Sequence, residues 1–481
     1  MLKRAHRGEE GFALVTAVVI LMVMSLFMVV ALSAGNSAFN ISEKGSRFTR
    51  TLGPTEAGVN DAITRLGVNR DSTSPCPIGT ALVCTGGGGE YQVSWSGTKS
   101  ETMITSIGYL PSMAEADVTR KVEVTMEPEP KFQYALFSAD TLEVKNNQVI
   151  MGDIFANSAV TIGTGAIICG SVLNAAGGVD VQAGAQILKS YGSTCSGKDG
   201  DVWAGGKINL GTITSTVEGD ATASAPSTVS CPPTPNTDYA ITGGTVNGTA
   251  TACGVVTATT PSAVPNTRTD PPAQGSLPEY TFDIGNYPGF TCFALDAVGC
   301  DYDPTNFSPT AVSQFNSSVS TANMSGTYII WQENPSQSTL VDLEDMTLSG
   351  DLTIVTNAPI TLGNTGEITT TSAATLVLVS LYVPPTGTTC STNGGDCSIF
   401  GKNSVVFDSG DPADPDDGIA GLLYTPGKMA FKNQSNGADG ALYAGSMDIK
   451  NGFDIVYNER VERIVGFGTG LEQTLWQELA I

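Results

Sequence analysis

The 481-residue chain carries 47 acidic against 23 basic side chains, a net charge of −24, with 55 glycines. A field of that sign repels phosphate backbones and removes nucleic acid from the expected partners. The one histidine is His6, ahead of the first apolar stretch, so beyond that stretch no Ser-His-Asp, Cys-His or His-metal chemistry is expected.

That stretch is the first predicted element. From Phe12 to Ser33 there is no charged side chain, and none follows before Glu43. At about 1.5 Å per helical residue the run spans roughly 33 Å, enough to cross a hydrocarbon core of about 30 Å. Lys3, Arg4 and Arg7 precede it, which leaves the N-terminus in the cytoplasm and sends the chain beyond Ser33 across the membrane. No small-residue cleavage site follows the apolar core; a glycine, Gly11, instead stands directly before Phe12.

Helix-compatible sequence continues to residue 70. Phe48, Leu52, Val59, Ile63 and Leu66 recur at spacings of three, four and seven, which marks one face of an amphipathic helix. Pro54 predicts a kink or break there. Over residues 71–130 the texture changes to short alternating runs, "GEYQVSWSG", "TMITSIGYL" and "TRKVEVTME", which predict a small antiparallel sheet packed on the helix. "EPEP" at 127–130 marks a boundary.

Beyond it lies a repeat. "TLEVKNN" (141–147), "KMAFKN" (428–433) and "SMDIKN" (446–451) share one pattern, and "AVTI" (159–162), "GVDV" (178–181) and "KINL" (207–210) carry the same short strand without Lys-Asn. The spacing is 18 or 19 residues, except before "KINL", where a loop holding Cys195 is inserted. Two-residue alternation at that period predicts a parallel β-helix with three sides and about six residues per side. Asn at a strand end suits the left-handed corner. Residues 131–225 form its first part, and 324–481 its second part, with "GLEQTLWQELAI" as a short amphipathic helix capping the last coil. Between them 226–323 reads as a Pro- and Thr-rich insertion tied by Cys231, Cys253, Cys292 and Cys300.

Ten cysteines at low charge density suit an oxidising compartment. Near neighbours suggest Cys76 with Cys84, Cys169 with Cys195, Cys231 with Cys253, Cys292 with Cys300, and Cys390 with Cys397. Zinc ligation is the competing reading, but no close C-x-x-C pair exists.

Chemistry is scarce. Asp408, Asp411, Asp414, Asp416 and Asp417 in "DSGDPADPDDG" offer hard oxygen ligands for calcium, although their order departs from an EF-hand loop and a solvated loop is the plainer reading. Asp296, Asp301 and Asp303 raise the same question. Parallel β-helices also support polysaccharide lyases and hydrolases, which need paired carboxylates. Glu333, Asp342, Glu344 and Asp345 are the candidates for that alternative, a membrane-tethered enzyme.

The N-terminus resembles the class III signal of type IV prepilins: a short basic leader ending in Gly11, then Phe12 and an uncharged helix. The continuation "RFTRTLGPTEAGVNDAITRL" is similar to the helix that follows the span in PilX-type minor pilins. The resemblance implies that a prepilin peptidase cuts after Gly11, removing the leader 1–11, and that Phe12 becomes an N-methylated first residue. The long helix is then 12–70, with its transmembrane part at 12–33. Thr16 stands where major pilins carry Glu. It cannot pair with a neighbour's terminal amine, an absence shared by subunits expected at or near a filament tip. The resemblance therefore implies a minor pilin without enzymatic activity or cofactor, partnered by other pilin subunits and the pilus assembly machinery. Its β-helical domain would be displayed outside the cell for assembly or for adhesion to a surface or polysaccharide ligand.

Overall fold

Pro54 decides where the first helix stops. In the computed structural model α1 runs Glu9–Arg50 and α2 runs Leu52–Val68. A proline ring collides with the carbonyl four residues back, here Arg50, and offers that carbonyl no N–H, but it fits the first turn of a new helix. The break falls at Thr51. The residues outside the description are 1–8, 69–72, 98–101, 117, 129–130, 193–194, 232–236, 279, 281, 283, 285–286, 288, 296–299, 320–321, 344–345, 363–367, 371, 386–387, 389, 391–395, 402–417, 432–436, 451–453, 462–470 and 480–481. All others are described. The chain forms two units, Met1–Glu129 with Thr469–Ile481, and Pro130–Gly468.

In the first unit α2 packs on an antiparallel sheet. Its strands are β1 (Cys84–Gly86), β2 (Gly89–Gly97), β3 (Thr102–Leu110) and β4 (Val118–Pro128). Val59, Ala62 and Leu66 of α2 meet Val93, Ile104, Val122 and Val124 of the sheet, all at most 2% exposed. This period-3.6 face against period-2 strands is what the alternating sequences predicted. Close approach rests on glycine, because a Cβ on Gly108 would lie 2.8 Å from the Thr55 nitrogen. Ser106 donates its hydroxyl to the Thr55 carbonyl at 2.8 Å, and Arg120 sits 4.7 Å from the Phe48 ring centroid.

The fifth strand of this sheet corrects the sequence reading. "GLEQTLWQELAI" was expected as a helix capping the last coil; instead Leu471–Leu479 is a strand antiparallel to β4, Leu471 facing Pro128 and Leu479 facing Lys121. Without it β4 would leave a row of backbone donors and acceptors unpaired at the sheet edge, and satisfying those groups outweighs a modest helical pattern.

The second unit is the parallel β-helix that the 18-residue period predicts, with three faces. On the first, Leu136–Ser138, Ile154–Ala156, Val172–Asn174, Val202–Ala204 and Ala221–Ala223 pair in turn. The second face carries the repeat itself: Leu142, Val160, Val179, Ile208 and Ile241 stand in register. On the third, Ile150, Ile168, Ile187, Val217 and Val246 are aligned. The ends of each three-residue strand of the second face point inward and are buried while the middle residue points out, so the core is a column of aliphatic side chains.

Topology departs from simple chain order. Leu136–Ser138 pairs on its other side with Leu442–Ala444, and Leu142–Val144 with Met447–Ile449. Met447 stands in register with Met429, and Met429 with Ile399. The chain therefore enters the stack midway and builds outward to Ser262–Val264. It restarts at the opposite end with Thr291–Phe293 and builds back until Ile455 and Val456 lie on Ile150 and Met151. The helix α3 (Ala311–Ser318) buries Ala311, Val312 and Phe315 in the central column. The three related strands "TLEV", "KMAF" and "SMDI" are thus consecutive rungs, although one lies about 300 residues from the others in sequence.

The inserted region is also smaller than expected. Ile241–Gly243, Thr245–Val246 and Thr249–Ala252 continue the three faces, so coil structure extends through Val264, and strands of the stack resume at Thr291–Phe293. Proline masked this, because Pro261 and Pro265 flank the last rung rather than interrupting it. The five disulfides join Cys76 to Cys84, Cys169 to Cys195, Cys231 to Cys253, Cys292 to Cys300 and Cys390 to Cys397. At the corner after "TLEV", Asn147 takes a φ of 55°, and Asn146 accepts from the Thr164 N–H at 2.9 Å. Asn433 and Asn451 lie outside the described residues.

Candidate functional site: an apolar rod and a displayed coil

Within α1 the window Ala17–Ala34 has a mean hydropathy of 2.7 and no buried residue. It is long and apolar enough to cross a membrane, by length and composition. Leu21, Met22, Leu26, Phe27 and Met28 are each more than 65% exposed, which leaves a large apolar surface that water does not favour. The α1 backbone runs through Gly11, Phe12 and Thr16; their side chains lie outside the description.

The second feature is an aromatic column on the outside of the β-helix. The middle residues of the first-face strands put Tyr424, Tyr443, Phe137 and Phe155 on successive rungs. Phe137 stacks on Tyr443 and on Phe155, each with centroids 5.2 Å apart. Over this column lie Gly275 and Pro278. Gly275 lies against the rings, where a Cβ would come within 2.7 Å of Phe137 and 2.9 Å of Phe155. Asn157 holds it on both sides, donating Nδ2 to the Gly275 carbonyl at 2.6 Å and accepting the Gly275 N–H at 2.9 Å. The Tyr424 hydroxyl donates to the Pro278 carbonyl at 2.7 Å, and Phe282 meets Trp331 edge-on at 5.0 Å. Sequence reading missed this column. Its signal was present, since Phe137 and Phe155, like Tyr424 and Tyr443, share one period and one strand position.

Among the described residues the acidic candidates do not assemble. Asp408, Asp411, Asp414, Asp416 and Asp417 lie outside the described residues, as do Asp296, Glu344 and Asp345. Asp303 accepts the Thr305 N–H at 2.9 Å and its hydroxyl at 2.8 Å, bonds that hold its carboxyl below the usual range and cap the turn Pro304–Asn306. Asp342 sits mid-strand in Val341–Leu343, whereas Glu333 follows a strand end. Among the described residues no three His, Cys, Asp or Glu come together as a metal ligand set.

Other carboxylates act as rung connectors. Asp153 accepts the Ser171 N–H, Asp201 the Asp220 N–H and Asp220 the Thr249 N–H, each at 2.7 Å. Burial chiefly raises Asp201, opposed by its bond from the Asp220 N–H and assisted by the charges of Asp220 and Asp199. Asp439, mid-sheet opposite Val456, is pushed up by burial to about 6. Between the ordinary carboxylate range and about 6 the folded chain holds a proton there that the unfolded chain has lost. Its contribution to stability therefore falls as pH rises through that window. Asp439→Asn should be nearly neutral at pH 3 and should stabilise by about 1–2 kcal/mol at pH 7.5, a value already reduced for partial solvent screening. Urea denaturation at the two pH values checks this; equal effects at both would contradict it.

No protein-family model matches the chain, and no curated protein does. A structural match is the crystal structure of the competence-associated pilin ComZ from Thermus thermophilus. It is 12% identical, the match covers 90% of this chain and 98% of that one, and the TM-score is 0.27. At that TM-score the likeness bears no weight in assigning a role to this chain.

Proposed function

We propose that this chain is a minor type IV pilin-like subunit, of the PilX type, whose stem joins a pilus and whose β-helix is displayed for pilus assembly or surface adhesion. The carrying observation is the charge-free run that begins with Phe12 directly after Gly11, exposed throughout its window Ala17–Ala34 and continued by a helix that packs on a small sheet. Such a rod needs a bilayer or a bundle of like rods around it. Before assembly it spans the cytoplasmic membrane with the N-terminus inside. Prepilin peptidase then removes residues 1–11, Phe12 is methylated, and the rod passes from lipid into the filament core. Thr16 offers no carboxylate to a neighbour's amine, which an apolar bundle tolerates best where one neighbour is missing, at or near the tip. The partners are other pilin subunits and the assembly machinery, with the β-helix facing a surface or polysaccharide ligand. The chain works as a structural subunit rather than an enzyme.

Mass spectrometry of the N-terminal peptide from sheared surface fibres tests the reading. A methylated Phe12 as first residue is expected. A surface form that retains residues 1–11, or a protein absent from sheared fibres, would overturn it.

A further inference from the structure

The β-helix is inserted into the sheet of the first unit at one place, between β4 and the strand Leu471–Leu479. These two strands are direct neighbours, Pro128 facing Leu471, yet about 340 residues separate the facing pair. While those residues are unfolded, the closing strand is dilute at the β4 edge. Loop closure scales as about the −3/2 power of length, so its effective concentration is about a hundredfold below that across a turn of about a dozen residues.

Folding of the β-helix removes that deficit through its mid-stack topology. Leu136–Ser138 lies on Leu442–Ala444, and Ile150 and Met151 lie on Ile455 and Val456. The Tyr457 hydroxyl donates to the Phe132 carbonyl at 2.5 Å, and the Tyr457 N–H to the Met151 carbonyl at 2.7 Å. Phe132 packs edge-on against Tyr443 at 4.8 Å. The points where the chain enters and leaves the coil stack are thus hydrogen-bonded neighbours. A β-helix that entered at one end and left at the other would hold them apart by its whole length.

From this we infer that Leu471–Leu479 is a conformational latch: it completes the sheet beside the stem only when the inserted β-helix has folded. The coupling itself does not depend on the pilin reading. Its consequence does: subunits with an unfolded display domain carry an incomplete stem unit with an open β4 edge, and filament entry can select against them.

Hydrogen exchange with mass spectrometry on the full chain tests the latch. Ile168→Asp combined with Ile360→Asp places two carboxylates in the fully buried column and should abolish protection of Ile167–Cys169. The expected result is an approximately hundredfold faster exchange in Leu471–Leu479, with the β2 and β3 segments still protected. Wild-type protection of Leu471–Leu479 in a chain whose β-helix exchanges freely would overturn the inference. In the same background, Thr125→Cys with Leu475→Cys joins facing positions, and once oxidised this pair should restore protection. Continued fast exchange despite the clamp would also overturn it, because the loss would then not arise from dilution. Neither result bears on the N-terminus of fibre subunits, so the latch and the pilin reading fail separately.

Discussion

Tyr443→Ala is expected to cost the β-helix about 3–5 kcal/mol, the range for removing a buried ring from a packed site. Tyr443 is 1% exposed. It stacks on Phe137, meets Phe132 edge-on, and accepts the Tyr134 N–H on its hydroxyl at 3.0 Å. These contacts cross the seam where the last coils in sequence lie on the first. An alanine would open a cavity at the junction where the rung of Tyr443 lies on the rung of Phe137, about 300 residues away in sequence. Tyr443→Phe, which keeps the ring, should lose only about 1 kcal/mol. Chemical denaturation read by the fluorescence of the buried Trp331 measures both. Equal losses for the two variants would place the energy in the hydroxyl and contradict the packing account.

The second large effect is expected at Gly108. A Cβ there would lie 2.8 Å from the Thr55 nitrogen and 2.9 Å from the Thr51 carbonyl oxygen. Both are backbone atoms, one at the break before α2 and one in its first turn, and cannot swing aside. Gly108→Val should therefore push α2 off the sheet, at a cost of about 3 kcal/mol or more. It should raise hydrogen exchange along Leu52–Val68 while leaving the β-helix unchanged. Gly45, with nothing within 4 Å of its added Cβ, provides the contrast: Gly45→Ala should stabilise α1 by up to about 1 kcal/mol. A Gly108→Val protein with wild-type exchange in α2 would show that the helix sits farther from β3 than this packing requires.

Legibility followed the range of the interaction involved. The charge-free rod was readable because membrane length and hydropathy are properties of contiguous residues. The small sheet was readable because its strands alternate and are joined by short turns. Leu142, Val160 and Val179 announced the coil because each rung repeats its neighbour's pattern. The aromatic column was overlooked because outward-facing Phe137 and Phe155 look like ordinary alternation until a covering segment is seen to bury them. For the stretch around Ile241 and Thr249, Thr, Ala and Gly replaced the larger β-branched residues, so the rungs were there without their usual signature. The aspartates divided along the same line: Asp303, a candidate from the sequence, is a turn cap, and Asp153, Asp201 and Asp220, which the sequence did not single out, connect rungs, roles set by which N–H lies within reach in the fold.

By itself the sequence determined that there is an apolar rod, a helix on a small sheet, and a stack of parallel coils about 18 residues apart. Only the tertiary structure decided that the stack begins in its own middle, and that Leu471–Leu479 leaves it to finish the sheet beside β4. The reason is physical. Every coil presents the same backbone edge above and below, so a period specifies that coils stack but not which coil lies on which. That choice is made between segments hundreds of residues apart, by the side chains that meet at the seam and by the edge strand that remains to be paired.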